Sequence, residues 1–148
     1  MSPQALVEPA TVPPTAFMRV SAIRSAHSGT REVWPWPIAV YPQGGSSQAV
    51  TLDDVLHAVH AALRTRASEK EYEKLLPDRM DKKAVSEAYE GRWREESRTE
   101  LRSAANHGKN DKKAEVGLRR VDFLRGKTVF VGLEPVGGVE GEWCLVVR

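Results

Sequence analysis

The sequence has few of the features that mark the common functional classes. Cys144 is the single cysteine among 148 residues, which excludes an intramolecular disulfide and a metal site built from several cysteines. No apolar run reaches the 18 residues that a membrane-spanning helix needs. The N-terminus lacks the basic start and the apolar block of a signal peptide. We therefore expect an intracellular protein, in the cytoplasm or the nucleus, without a membrane partner.

Motifs that would indicate a catalytic or cofactor site are also absent. The chain has no glycine-rich phosphate loop, no Gly-x-Ser-x-Gly and no His-Glu-x-x-His, which are short motifs of phosphate, nucleophile and zinc chemistry. His57 and His60 lie three residues apart on a predicted helix and can begin a metal site, but the spacing indicates no third ligand. We expect no catalytic residues, cofactor or metal. A small enzyme with a site assembled from dispersed polar residues is one alternative.

Charge is concentrated in the middle of the chain. The formal net charge is only +2, too small to imply a polyanionic partner. Residues 64–120 hold 16 of the 22 Lys and Arg and 12 of the 20 Asp and Glu. Because the two signs are interspersed, a solvated helical face is favoured over a nucleic-acid surface. A nucleic-acid-associated protein that uses the helices of this segment is a second alternative, but we do not expect nucleic acid as the partner.

The spacing of apolar residues, together with the prolines, glycines and helix-capping residues, predicts the secondary structure. Four prolines in residues 1–15 predict an extended arm. Thr51 and Asp54 form a capping-box pattern at the start of an amphipathic helix. The predicted elements are strands at 17–23 and 32–41, helices at 51–63, 68–76 and 81–105, and strands at 121–124, 128–133 and 143–147.

This order of elements, ββαααβββ, predicts a single α+β domain over residues 1–148. An antiparallel sheet of about five strands, with about three helices on one face, satisfies the apolar pattern. The arm at 1–15 and a charged helical insert and loop at 78–116 complete the domain.

A pair of tryptophans between prolines is the first candidate interaction surface. Pro35 and Pro37 have the same parity, so their missing N–H groups face one side of the strand, and pairing is expected only from Ile38 onward. The segment is therefore predicted at a sheet edge or in polyproline II. Trp34 and Trp36 are candidates for an exposed binding ridge, while packing under the arm is the alternative. If a second copy covers the ridge, a symmetric homodimer is the expected form.

Two arginines are the second candidate. Arg119 and Arg120 precede the apolar C-terminal segments, where they can bind a phosphate or a carboxylate. They can equally pair with Asp122 or with acidic residues of the helices. With Trp34 and Trp36 they make up the candidate interaction surface.

Several segments also resemble a known family, and they are listed here: Pro9-Ala10-Thr11-Val12-Pro13-Pro14, Val50 to Leu63, Arg119 to Leu124, Phe130 to Leu133, and Trp143 with Leu145. Together they resemble a domain family of unknown function that is expanded in mushroom-forming fungi. The resemblance covers about two-thirds of the chain and leaves 78–116 poorly matched. It implies a fungal, intracellular protein but no activity and no catalytic residue. Our leading interpretation is a non-enzymatic protein-interaction module, with self-association as one form of it.

Overall fold

The computed structural model describes residues 3–27, 31–43, 49–106 and 117–148. Its elements are α1 (Pro3–Leu6), β1 (Met18–Ser25), β2 (Arg31–Val40), α2 (Leu52–Arg64), α3 (Glu69–Leu75), α4 (Arg79–Asn106), a 3-10 helix (Arg120–Leu124), β3 (Phe130–Pro135) and β4 (Glu142–Val147). Two compact units are present, one of residues 1–63 and 127–148 and the other of residues 64–126. The predicted α+β class is confirmed.

One sheet of four strands, in the order β2-β1-β4-β3, forms in the first unit. β1 is antiparallel to β2 and β4 is antiparallel to β3, but β1 and β4 are parallel. The prediction of a five-stranded, purely antiparallel sheet was therefore wrong in strand number and in direction. A parallel pair needs a connection of a dozen or more residues, and the long segment between β1 and β4 supplies it.

The missing fifth strand is the predicted strand at 121–124, which is a 3-10 helix. Its backbone makes tight turns, because Asp122 N–H donates to the carbonyl of Arg119 and Arg125 N–H donates to the carbonyl of Asp122, both at 3.0 Å. Arg125 then adopts the left-handed conformation with φ of 55°, which ends the turn. A run of four residues is too short for its pattern of apolar and polar positions to distinguish a β-strand from a 3-10 helix.

The start of α2 confirms the predicted cap. Thr51 N–H donates to Asp54 Oδ2 at 2.9 Å, and Asp54 N–H donates to Thr51 Oγ1 at 3.2 Å. Asp54 Oδ1 also accepts the N–H of Gln43 at 2.9 Å. Burial alone would raise the pKa of Asp54, but these hydrogen bonds to the charged form hold its pKa below the ordinary value. Val55 and Val59, on the apolar side of this amphipathic helix, are buried.

The N-terminal arm is not extended throughout. Pro3–Leu6 form one helical turn, and proline is suited to the first position of a helix because it lacks the N–H that is unsatisfied there. The following residues lie along the segment before α2. There Leu52 N–H donates to the carbonyl of Glu8 at 3.1 Å, and Ala10 N–H donates to the carbonyl of Val50 at 2.9 Å.

The second unit is mainly helical. The long polar helix predicted at 81–105 is confirmed as α4, in which Val85 is fully buried. α3 begins with a capping box, in which Ser68 and Glu71 each accept the other's backbone N–H. The predicted loop at 107–116 lies outside the described residues. Across the described ranges, none of the helices combines the length and the apolar character that crossing a membrane requires.

Candidate interaction surface

The two tryptophans of β2 face the core of the first unit. Trp34 and Trp36 are only 6% and 9% exposed. Their rings make an edge contact with centroids 5.1 Å apart. Ile38 and Val40 on the same side are buried too. The ridge predicted from the sequence therefore exists, but its tryptophans are core side chains and do not form an exposed surface.

The prolines of β2 interrupt its pairing with β1, as their missing donors require. Val20 pairs with Ile38, and the next pair is Ala22 with Val33. Only Ser21 of β1 therefore stands opposite residues 34–37. The predicted edge position is confirmed, and residues 38–40 pair with β1 as expected. The expectation that pairing occurs only from Ile38 onward was wrong, because residues 31–33 pair with β1 as well.

The second face of β2 is apolar as well, and it is exposed. Pro35, Pro37, Ala39 and Tyr41 alternate with the buried residues and are all exposed, as the side-chain period of a strand requires. Phe17, at the start of the neighbouring strand, continues this surface. We call these five residues the outer stripe. Strands that are apolar on both faces are typical of sheets covered on both sides, so the exposure of the outer stripe is unusual.

An exposed aromatic pair forms one end of the outer stripe. The rings of Phe17 and Tyr41 have centroids 5.1 Å apart and are tilted by 43°, and the residues are 40% and 56% exposed. On the neighbouring strand β1, Arg19 pairs with Ala39 of the stripe. The guanidinium of Arg19 lies 3.6 Å from the carboxylate of Glu142. An exposed apolar patch with a polar rim is characteristic of a protein-binding surface. The sequence signal for it was the apolar residue at every second position of β2.

The arginine candidates lie in the second unit and have carboxylate partners there. Arg119 is 8% exposed. Its guanidinium donates to Glu96 at 2.6 Å, and its backbone N–H donates to Asp122 at 2.8 Å. The guanidinium of Arg120 lies 4.0 Å from the carboxylate of Glu71. These contacts match the alternative in which the arginines pair with Asp122 and with acidic residues of the helices.

Asp122 is the centre of this charged network. Its side chain is 1% exposed and accepts two hydrogen bonds from Arg92, from Nε at 2.8 Å and from Nη2 at 2.9 Å. Arg92 also donates to Glu96 at 3.1 Å and to the carbonyl of Gly117 at 3.0 Å. The hydrogen bond to Asp122 is the main cause that raises the pKa of Arg92. The network joins α4 to the 3-10 helix through bonds between its own charged side chains, so we assign it a structural role.

The histidine pair of α2 lies on the exposed side of its helix. His57 and His60 are exposed, and His57 Nδ1 lies 3.0 Å from the carbonyl of Asp53. Within the described part of the chain, no group of three or more His, Cys, Asp or Glu side chains is placed to hold a metal ion.

Comparison with known proteins places the chain in a family. No curated protein and no solved structure gives a significant match. The model of a family of unknown function, DUF6699, matches residues 1–141. This match includes β1, β2 and β3 but ends before β4. It also includes the charged segment at 78–116, which the sequence resemblance left poorly matched. The chain therefore belongs to DUF6699, a family of unknown function.

Proposed function

We propose that this protein is a non-enzymatic, intracellular protein-interaction module and that the outer stripe is its binding surface. The observation that carries the proposal is that residues 34–41 are apolar on both faces while only the tryptophan face is covered. Removing apolar surface from water favours association by roughly 25 cal/mol per Å², before the entropic cost of association is subtracted. A partner that covers Tyr41, Phe17 and the exposed prolines gains this stabilisation without rearranging the core.

The composition of the outer stripe supports the same function. Aromatic residues are enriched at the centres of protein interfaces, where charged residues are depleted. The outer stripe contains two aromatic residues and no charged one, and the ion pair of Arg19 with Glu142 lies beside it. This arrangement gives an apolar centre with a polar rim. The rim would contribute mainly to the choice and orientation of the partner.

The test is a comparison of three baits in a fungal lysate, since the sequence resembles a family expanded in mushroom-forming fungi. The baits are the full chain, a Phe17→Ser/Tyr41→Ser variant and a Val131→Ser control. Val131 is 52% exposed on β3, the opposite edge strand, so the control removes a similarly exposed apolar side chain. Urea melts first establish that the three proteins are equally folded.

We expect proteins that the full chain and the control capture and the outer-stripe variant does not. A copy of this protein that carries a second tag is added to the lysate. Its capture reports self-association and separates it from the binding of other proteins. An identical set of captured proteins for all three baits would show that the outer stripe is not a binding surface. Capture by itself supports nothing here, because only dependence on Phe17 and Tyr41 tests the proposal.

The nucleic-acid alternative is not favoured by the charges of α4. Arg94 donates to Glu90 at 3.1 Å, and Arg98 donates to Glu95 at 3.2 Å. Because a carboxylate within one turn neutralises each of these exposed arginines, we expect no tight binding of DNA or RNA at physiological salt. A sub-micromolar affinity that falls steeply with salt concentration would contradict this expectation.

A further inference from the structure

Residues 8–15 of the N-terminal arm are bound to residues 50–52, which lead into α2. We call the first group the strap and the second the acceptor segment. The centre of the contact is an antiparallel bridge between Pro9 and Thr51. Backbone groups on both sides of this bridge join the two segments, and Val50 uses both its N–H and its carbonyl for this purpose. The strap therefore binds as a peptide strand binds to a sheet edge, through main-chain groups.

Side chains add little to this contact. Within the strap only Thr11 is buried, Ala10 and Thr15 are half-buried, and the other five residues are exposed. Val12 reaches an exposure of 98%. A segment that is held mainly by backbone hydrogen bonds and buries little apolar surface belongs to the parts of a fold that open locally at a low cost in free energy. We therefore expect the strap to detach while the rest of its unit stays folded.

The acceptor segment is held independently of the strap. Thr51 N–H and Thr51 Oγ1 both donate to Asp54 Oδ2, at 2.9 and 2.7 Å, so the helix cap fixes this residue from its own side. Leu52 is the first residue of α2, and the N–H of a first helical residue has no partner within its helix. When the strap leaves, this N–H and both backbone groups of Val50 become available to another main chain.

We propose that the acceptor segment is a docking site for an extended peptide of a partner protein, and that the strap is the intramolecular occupant which this peptide displaces. The strap itself shows the chemistry that the site accepts. The peptide must present a carbonyl, then a residue whose N–H is not needed, then an N–H donor, as Glu8, Pro9 and Ala10 do. The next residue must be small and polar, because Thr11 is buried and its hydroxyl donates to the carbonyl of Pro13 at 2.8 Å. This site is separate from the outer stripe.

The strap and a partner's peptide compete for the same backbone groups. An added peptide can bind only those molecules whose strap is open, so its apparent dissociation constant rises in inverse proportion to the open fraction. A substitution that detaches the strap should therefore tighten the binding of an added peptide, whereas the same substitution in the peptide should weaken it. This reversal of the effect distinguishes a shared site from a general loss of stability.

The probe is a labelled peptide of residues 6–16 with blocked ends, and fluorescence anisotropy measures its binding to the full chain and to two variants. Thr11→Lys places a charge at the buried position of the strap and should detach it. Val12→Lys adds the same charge at the neighbouring, exposed position and is the matched control. We expect the Thr11→Lys chain to bind the peptide at least about tenfold more tightly than the full chain and the control do.

Two altered peptides complete this test. The peptide that carries Thr11→Lys should bind the Thr11→Lys chain at least about tenfold more weakly than the unaltered peptide does. The peptide that carries Val12→Lys should bind this chain as the unaltered peptide does. Equal binding of all three peptides overturns the proposal, as does the absence of binding to the Thr11→Lys chain at a peptide concentration of about 1 mM.

Native-state hydrogen exchange on the unaltered full chain tests the opening of the strap without any substitution. We expect the protection factors of the Val50 and Leu52 N–H groups to be at least about tenfold lower than that of Val59, in the middle of α2. Exchange at Val50 and Leu52 should depend little on urea, because detachment of the strap exposes little surface. Equal protection and an equal dependence on urea for the three groups would show that the strap opens only with global unfolding, and would overturn the proposal.

Sedimentation velocity separates a partner protein from a second copy of this chain as the source of the peptide. Two copies that exchange their straps would form a dimer, and Thr11→Lys would abolish it. A full chain that stays monomeric at about 500 µM, a concentration far above that of micromolar binding, together with binding of the peptide, supports a partner protein. A dimer that Thr11→Lys abolishes would assign the site to strap exchange and would overturn the assignment to a partner protein.

Discussion

Asp122→Ala should be among the most damaging single substitutions in the second unit. The carboxylate accepts two hydrogen bonds from Arg92 and one from the backbone N–H of Arg119, all between 2.8 and 2.9 Å. Removing it leaves the Arg92 guanidinium, whose side chain is 15% exposed, without its main partner. It also removes the side-chain acceptor at the start of the 3-10 helix.

The magnitude follows from these two losses. Removing one partner of a buried ion pair costs about 3–5 kcal/mol, and losing a capping acceptor costs about 1 kcal/mol. Arg92 keeps its hydrogen bonds to Glu96 and to the carbonyl of Gly117, which reduces the first cost. We expect a net loss of about 3–4 kcal/mol in the free energy of unfolding. Because this free energy typically falls by about 1–3 kcal/mol per molar urea, the urea concentration at the unfolding midpoint should fall by about 1–3 M.

Urea melts followed by circular dichroism measure this loss. The double variant Arg92→Met/Asp122→Ala completes a cycle, because it also removes the charge that the single substitution leaves unpaired. The double variant should therefore cost clearly less than the sum of the two single variants, by more than about 1 kcal/mol. A cost for Asp122→Ala within about 0.5 kcal/mol of zero, or strict additivity in the cycle, would refute the reasoning.

The remaining predictions concern α2. Val55→Ala should cost about 2–3 kcal/mol, and Leu56→Ala no more than this despite its larger side chain, because Val55 is fully buried and Leu56 is partly exposed. Urea melts that rank Leu56→Ala far above Val55→Ala would place the core on a different face. Asp54 stabilises the fold when charged, since its pKa is lowered on folding. This contribution is present above its unfolded pKa of about 4 and is lost as the pH falls through the lower folded value. Thermal melts below pH 5 should therefore show a steeper loss for the full chain than for Asp54→Asn, and parallel curves would contradict the assignment.

The helices were predictable because their signals are local. A capping box depends on two residues three positions apart, and both Thr51 with Asp54 and Ser68 with Glu71 form the bonds that the sequence indicates. The pair of Arg92 with Glu96, four residues apart on a helix, was predictable for the same reason. No comparable signal links Arg92 to Asp122, because thirty residues separate them along the chain.

The sheet was only partly predictable. The antiparallel pairs β1–β2 and β3–β4 follow from neighbouring strands joined by turns. The parallel pair β1–β4 joins the first and the last strand of the chain, and periodicity carries no information about such a pairing. Asp122 lay within the strand predicted at 121–124, whereas its carboxylate accepts the backbone N–H of Arg119 at the start of the 3-10 helix.

The orientation of β2 shows how a correct pattern led to the wrong surface. Parity assigns the tryptophans to one face and the prolines to the other, but both faces are apolar and periodicity cannot choose between them. The size of the side chains decides which face is buried. A buried Trp removes about 150–250 Å² from water and thereby contributes about 4–6 kcal/mol at 25 cal/mol per Å². Two indoles outweigh the prolines and Ala39 on the other side. The core takes the tryptophan face for this reason, and the smaller apolar face, with Tyr41 at its end, stays exposed.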